Sequence, residues 1–320
     1  MKNIMLLYRH GGMGDVLMAL AACKAVKTQY SCELWFMTAA EHLGLALACP
    51  WVDCAFSPEE ILKDHVGEFN RIKDEGNYFD LNLAIFGTGG IHQVDAYLKA
   101  IGTVAPPEQK ELELQVPMPL VHLHRAVVIH PACGDPNRTW TEQNWNALAD
   151  LLWSDGFRVI LVGSEPKDGK GAYHLNPHKI AVDWIGQKSP LETIHLMKMA
   201  DCLVSTDSGP IQLAGATDIG IVGLYSVVRG NNRLPYRHGE AGWNAIALEP
   251  ACSVHPCFPF MNTYEGTLLY NKMIREQGIK MQDVYGVWCP HDLMPYHCME
   301  LSTTPEDVFK AVKTIFKEAL

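Results

Sequence analysis

The tightest constraint in the chain is a short strand that must turn directly into a helix. Cys202-Leu203-Val204 is an apolar run that reads as a strand; it stops at Thr206-Asp207-Ser208-Gly209, and Pro210 follows. Proline is favoured at the first helical position and serine just before it, so residues 202–214 predict a strand–turn–helix junction. Backbone N–H groups and the positive end of the helix dipole point out of such a turn, an arrangement that holds a phosphate. An ordinary serine-capped βα turn accounts for the same residues equally well.

The chain opens in the same way. Residues 4–8 form a continuous apolar run, the pattern of a buried strand. Gly11-Gly12-Met13-Gly14-Asp15 follows, and residues 16–30 read as a helix. The glycines let the backbone come close to a ligand, while Asp15 at the helix start also fits a plain capping carboxylate. Gly12-x-Gly14-x-x-Leu17 lacks the third small residue of a dinucleotide fingerprint, which leaves a nicotinamide-dependent oxidoreductase as one alternative.

Further strands are expected over 32–38, 52–56 and 81–86, the last closing at Gly87-Thr88-Gly89-Gly90, with helices over 41–48, 58–73 and 93–101. Pro106, Pro107, Pro117 and Pro119 then favour an extended linker, which places a domain boundary near residue 121. A second series follows. It has strands over 126–131, 158–162, 180–185 and 219–225, a helix capped by Thr141 and ended by Gly156, and another over 190–199. Strand–helix alternation of this kind predicts an α/β protein with parallel sheets covered on both faces. A last helix, 305–320, starts with Thr304 as cap, Pro305 in the first turn and Glu306-Asp307 matching the dipole.

Composition narrows the function. A chain of 320 residues is long enough for two domains. Its net charge of −10, with no block of Lys or Arg, argues against a broad nucleic-acid surface. No apolar run is long enough to span a bilayer, so membrane contact is expected to be peripheral at most. The N-terminus reads as a strand rather than a signal peptide, and the ten cysteines are then most simply reduced thiols of a cytoplasmic protein. The Gly169-Lys170 pair has the wrong surroundings for a Walker A loop, which removes an NTPase reading.

Four motifs occur in a telling order: Gly12-Met13-Gly14-Asp15-Val16, Arg138-Thr139-Trp140-Thr141 before a helix containing Trp145, Val162-Gly163-Ser164-Glu165, and Asp207-Ser208-Gly209-Pro210-Ile211-Gln212-Leu213-Ala214. Together they resemble glycosyltransferase family 9, the ADP-heptose:lipopolysaccharide heptosyltransferases and their relatives. The resemblance implies a GT-B fold, two Rossmann-like domains facing each other across a cleft. Residues 1–121 would form the acceptor domain and 122–303 the nucleotide-sugar-binding domain, with a Cys-rich insertion near 252–298. Residues 304–320 would form a helix packing back on the first domain. It also implies inverting transfer of a sugar from a nucleotide-diphosphate donor to the hydroxyl of a glycan or glycolipid; the sequence has no Asp-x-Asp motif of the kind that holds a metal–diphosphate, so metal-independent transfer with no cofactor required is expected. Asp15 matches the family's base. Gly12, Gly14, Arg138, Glu165, Thr206, Asp207, Ser208, Gly209 and Gln212 match its substrate-binding positions. Arg138 stands where the family has lysine, and Gln212 where it usually has histidine. A non-catalytic nucleotide- or glycan-binding module of the same fold is the rival expectation.

Cys252, Cys257, Cys289 and Cys298 cluster in the tail with His255, His291 and His297. These are the right ligand types for a structural zinc site, but the spacings are looser than usual zinc knuckles. A disulfide and plain reduced packing thiols remain open beside zinc.

Overall fold

The computed structural model describes residues 3–84, 90–131, 138–165, 175–252, 255–256, 299 and 303–318. Two parallel sheets organise them. The first comprises β1 (Ile4–Tyr8), β2 (Glu33–Met37), β3 (Cys54–Phe56) and β4 (Tyr78–Asp80) in the order β3-β2-β1-β4. The helices among them are α1 (Met13–Ala21), α2 (Cys23–Tyr30), α3 (Leu43–Ala48), α4 (Pro58–Asp64) and α5 (Val66–Asp74), with α6 (Gln93–Ile101) after β4. In register, β1 runs beside β2 from Ile4↔Glu33 to Tyr8↔Met37, so the loop after Tyr8 leaves the carboxyl edge at the centre of the sheet.

The second sheet begins with β5 (Ala126–His130), and α7 (Glu142–Ser154), β6 (Arg158–Leu161), β7 (Val182–Asp183) and α8 (Pro190–Met197) follow. Next come β8 (Cys202–Thr206), α9 (Gly209–Leu213) and β9 (Gly220–Leu224), then the small antiparallel hairpin of β10 (Tyr236–Arg237) and β11 (Glu240–Ala241), and β12 (Ala245–Leu248). Its order is β12-β9-β8-β5-β6-β7, with every pairing parallel. Purely parallel strands have both faces covered, which is why β5, β8 and β9 are buried along their whole length.

Several expected elements differ in detail. The helix expected over 16–30 starts at Met13 and divides at Ala22, whose N–H bonds to Ala19 O. That over 58–73 divides at His65, whose ring turns aside to pack on Phe56 and Trp35 at 4.7 and 5.8 Å. The strand expected over 81–86 lies instead at Tyr78–Asp80. The Asp80 carboxylate accepts from Asn82 N and caps a 3₁₀ turn at Leu81–Leu83, which takes the chain out of the sheet. The Gly87-Thr88-Gly89 part of the following loop lies outside the described residues. β12 was not anticipated; it is a half-buried edge strand of only four residues, AIAL, after a polar stretch.

The C-terminal helix, α10 (Pro305–Glu318), was expected against the first domain and packs on the second sheet instead. Its apolar stripe, Val308, Ala311, Val312 and Ile315, is buried in one cluster with Val204, Val222 and Leu152. Gly220 makes this fit, because Ile315 occupies the space a β-carbon would need there. Phe316 meets Phe157 at 4.8 Å between ring centroids.

A single core cluster joins both sheets. Leu7, Leu34 and Phe36 of the first sheet share it with Val128, Leu203 and Ile221 of the second, and all of Val16–Ala21 on α1 is buried within it.

Candidate active site

The amino ends of α1 and α9 meet where the two sheets face each other. A β-carbon on Gly14 would lie 3.5 Å from Gly209 Cα and 3.5 Å from Gln212 Cγ, while Met13 fills the space beside Gly209. The turn after β1 therefore packs directly on the turn that opens α9. The position a dinucleotide phosphate would need over α1 is taken by α9. Gly12 is the extended residue before α1, and its carbonyl accepts from Asp15 N at 3.0 Å.

Asp15 sits in the first turn of α1 with its carboxylate partly open. Its Oδ2 is 3.0 Å from Nη2 of Arg9, whose side chain is 4% exposed. Arg9 is fixed on its other edges: Nε donates to Tyr97 Oη at 2.9 Å and Nη1 to Asn82 Oδ1 at 2.9 Å. Burial works against the Arg9 charge, and Tyr97 and Asp15 outweigh it, holding the guanidinium above its ordinary value. Burial together with the Asp15 charge raises the Tyr97 phenol, which stays protonated. Gly11 permits the arrangement, since it turns at φ +121° and a β-carbon there would come within 2.9 Å of Arg9 Nη1.

The opposite wall is the turn after β8. Ser205 and Ser208 Oγ both bond to Thr206 O, at 2.9 and 3.0 Å, and lie 3.3 and 3.2 Å from Nδ1 of His130 at the end of β5. The two hydroxyl oxygens also lie 3.0 Å from each other, so Ser205, Ser208 and His130 share one hydrogen-bonded network. Burial pushes His130 down to about 4, so the ring is neutral. This network fixes Ser208 as the extended residue before α9, whose first turn carries no side-chain cap; Thr206 Oγ1 is buried with no partner among the described residues.

Arg138 reaches the same turn. Its Nη1 donates to Asp207 O at 2.8 Å and stands 3.6 Å from Asp207 Oδ2. The loop carrying it is pinned by Trp140, which is fully buried, stacks edge-on against Trp145 at 4.9 Å and donates Nε1–H to Thr303 O at 3.1 Å. Residues 132–137 of that loop lie outside the described set. Glu165 is at the carboxyl end of β6, where its side chain lies over Gly186. Two strand spacings, roughly 10 Å, separate the ends of β6 and β8.

Gln212 faces the protein. It is 5% exposed, and Nε2 donates to Arg233 O at 2.6 Å. In the tail, Cys252 is a half-buried free thiol, whereas Cys257, Cys289 and Cys298 lie outside the described residues. Among the described residues, no group of three His, Cys, Asp or Glu side chains could hold a metal ion.

Sequence reasoning did not single out Arg9, Asn82, Tyr97, His130 or Arg233. Arg9 and His130 carried a signal: each is a cationic or titratable residue at the carboxyl end of an apolar strand. Asn82, Tyr97 and Arg233 carried none, since only the tertiary fold brings them to the cleft.

A model of glycosyltransferase family 9 (heptosyltransferase) matches residues 93–255, about half of the chain. The chain belongs to glycosyltransferase family 9. Solved structures give its fold. The dodecameric iron-containing glycosyltransferase TibC from enterotoxigenic E. coli H10407 superposes with a TM-score of 0.70 at 15% identity, over 100% of this chain and 77% of that one. The family 9 glycosyl transferase from Veillonella parvula DSM 2008 gives 0.64 at 14%, covering 99% and 98%. E. coli ADP-heptose lps heptosyltransferase II gives 0.62 at 14%, covering 99% and 100%. The two sheets facing each other are thus the GT-B fold of this glycosyltransferase family. No curated protein sequence matches the chain. No helix among the described residues is long and apolar enough to cross a membrane.

Proposed function

We propose that this family 9 enzyme transfers a sugar, with inversion, from a nucleoside diphosphate to the hydroxyl of a glycan or glycolipid acceptor. The observation that carries the reading is the meeting of α1 and α9. Asp15 lies in the first turn of α1, which packs on the uncapped first turn of α9, and Arg138 donates to Asp207 O just before that turn. In the proposed step the acceptor oxygen bonds to the anomeric carbon as the bond from that carbon to the diphosphate oxygen breaks. The hydroxyl proton passes to Asp15, and the electron pair leaves on the nucleoside diphosphate. Arg138 and the backbone N–H groups around Ser208 and Gly209 would stabilise that departing charge. Glu165, two strands away, would contact the nucleoside, and Asp207 would bind donor hydroxyls or orient the turn. Gly12 and Gly14 would shape the floor, Thr206 would support the turn, and Gln212 would act indirectly by holding Arg233.

The donor we favour is ADP-heptose-like, because a TibC complex contains ADP-D-beta-D-heptose. Transfer would take place on the cytoplasmic side, and the residues named here require no metal for the step.

Asp15→Asn tests the base directly. Product formation should fall about 10²- to 10⁴-fold while donor binding, measured by calorimetry, is kept. Full turnover in Asp15→Asn would remove the mechanism. Donor binding without any transfer by the unaltered protein would favour the non-catalytic module.

A further inference from the structure

Residues 230–236 cross from one half of the protein to the other, and Arg233 sits at the crossing. Its carbonyl accepts from Gln212 Nε2 of α9 at 2.6 Å, and the next carbonyl, Leu234 O, is 2.8 Å from His92 Nε2 at the start of α6. Tyr236 completes the strap by donating to Asp95 Oδ2 at 2.8 Å and packing its ring on His92 at 4.5 Å. Arg233 N bonds to Gly230 O at 2.8 Å, so its backbone is fixed at both ends.

The guanidinium itself is unclaimed. It is half-buried, and among the described residues no hydrogen bond or ion pair to it exists. The other cleft arginines are engaged: Arg9 on Asp15, Tyr97 and Asn82, and Arg138 on Asp207. The Arg233 charge acts on His92 and Tyr97 from the first half and on Tyr225 from the second, which locates it between the two walls. A partly desolvated, pre-positioned guanidinium is an anion receptor, and its planar fork suits phosphate oxygens. Arg138 already shares its charge with Asp207, so a diphosphate departing into this cleft gains from a second, unshared cation.

We propose that Arg233 is a phosphate-binding residue of the cleft, receiving a phosphate group of one of the two substrates. The inference rests on the glycosyltransferase reading for its place in a working site. The phosphate belongs either to the donor diphosphate or to the acceptor.

The test is calorimetric titration of the full chain and of Arg233→Gln with ADP, UDP, GDP, CDP and inorganic pyrophosphate. It is repeated with inorganic phosphate on nucleotide-saturated protein. Gln at 233 keeps the carbonyl that Gln212 holds, and Arg233→Lys, which keeps the charge, serves as a second variant. A loss of tenfold or more for pyrophosphate and for the preferred nucleotide in Arg233→Gln, partly restored in Arg233→Lys, supports the proposal and assigns the donor phosphate. Unchanged nucleotide affinity with loss of inorganic phosphate binding to the saturated protein supports it and assigns an acceptor phosphate. If neither affinity falls, or if the unaltered protein binds none of these anions, the proposal is overturned. Failure of the transferase reading looks different: the nucleotide would bind in an Arg233-dependent way while the unaltered protein moved no sugar.

Discussion

Gly14 and Gly209 stand back to back, the first in the opening turn of α1 and the second in that of α9, with room between them for one methyl group and little more. A β-carbon on Gly14 would meet Gly209 Cα at 3.5 Å, an ordinary contact distance. The junction of the two halves therefore accommodates a methyl at Gly14, and a larger side chain there would press on α9.

Gly14→Ala is expected to fold and to keep most of its activity, because the added methyl fits. Gly14→Val is expected to cost about 1–3 kcal/mol as an overpacked contact and to part the two walls. Its turnover should fall further than its stability explains. Denaturant unfolding alongside transfer rates checks this; equal turnover in the Ala and Val variants would show that the spacing of the walls is immaterial.

Arg9 orients the carboxylate that the reaction is proposed to use. Arg9→Met leaves Tyr97 and Asn82 without their buried donor and frees Asp15 Oδ2. Because Asp15 is partly solvated, the expected cost is about 1–3 kcal/mol, below that of a fully buried pair. Misplacement of the carboxylate is expected to lower kcat by about 10²-fold with a smaller effect on KM. Gly11→Ala should repeat part of the loss by crowding Arg9. Equal kcat in Arg9→Met and the unaltered protein, at matched folded fraction, would show that the pair does not position Asp15.

Much of this architecture was legible in the sequence because buried parallel strands are continuous apolar runs and their turns carry glycine, serine and proline. β1, β5 and β8 were readable for that reason, and the motifs at Asp15, Arg138 and Asp207 marked the strand ends. Other parts could not be read locally. The place of α10 depends on Gly220 lying opposite Ile315, about a hundred residues later in the chain. β4 was displaced because Asp80 caps a turn that apolar content alone does not reveal. Gln212 matched a substrate position by motif, yet its amide is spent on Arg233, within a stretch whose polar, irregular sequence gave no hint of a strap.

Trp140 is expected to transmit stability to Arg138. Trp140→Phe removes the hydrogen bond to Thr303 O but keeps a ring against Trp145, so a loss of about 1 kcal/mol is expected. Trp140→Ala should cost about 3–5 kcal/mol by opening a cavity. In Phe the nucleotide affinity should be nearly kept, and in Ala it should fall even under conditions where the protein is fully folded. Calorimetry at low temperature separates the two effects; undiminished affinity in folded Trp140→Ala would show that the Arg138 loop holds itself.

Two buried histidines make stability depend on pH in a defined window. Burial lowers both His92 and His130 to about 4 in the folded protein, against an ordinary value near 6.5 in the unfolded chain. Between these values the unfolded chain binds protons that the folded protein refuses. Stability is therefore full above the ordinary value and declines as pH falls through the window. Each histidine contributes a slope of up to about 1.4 kcal/mol per pH unit. Urea unfolding from pH 7 to 5 reads this cleanly, because the capping carboxylates Glu60, Glu192 and Asp307, all held below their ordinary values by their cap hydrogen bonds, take up protons at lower pH. His130→Asn and His92→Gln should each remove about half of the decline, and the double variant nearly all of it. A decline of the same steepness in the double variant would place the pH dependence elsewhere and leave both rings without the cost that burial assigns them.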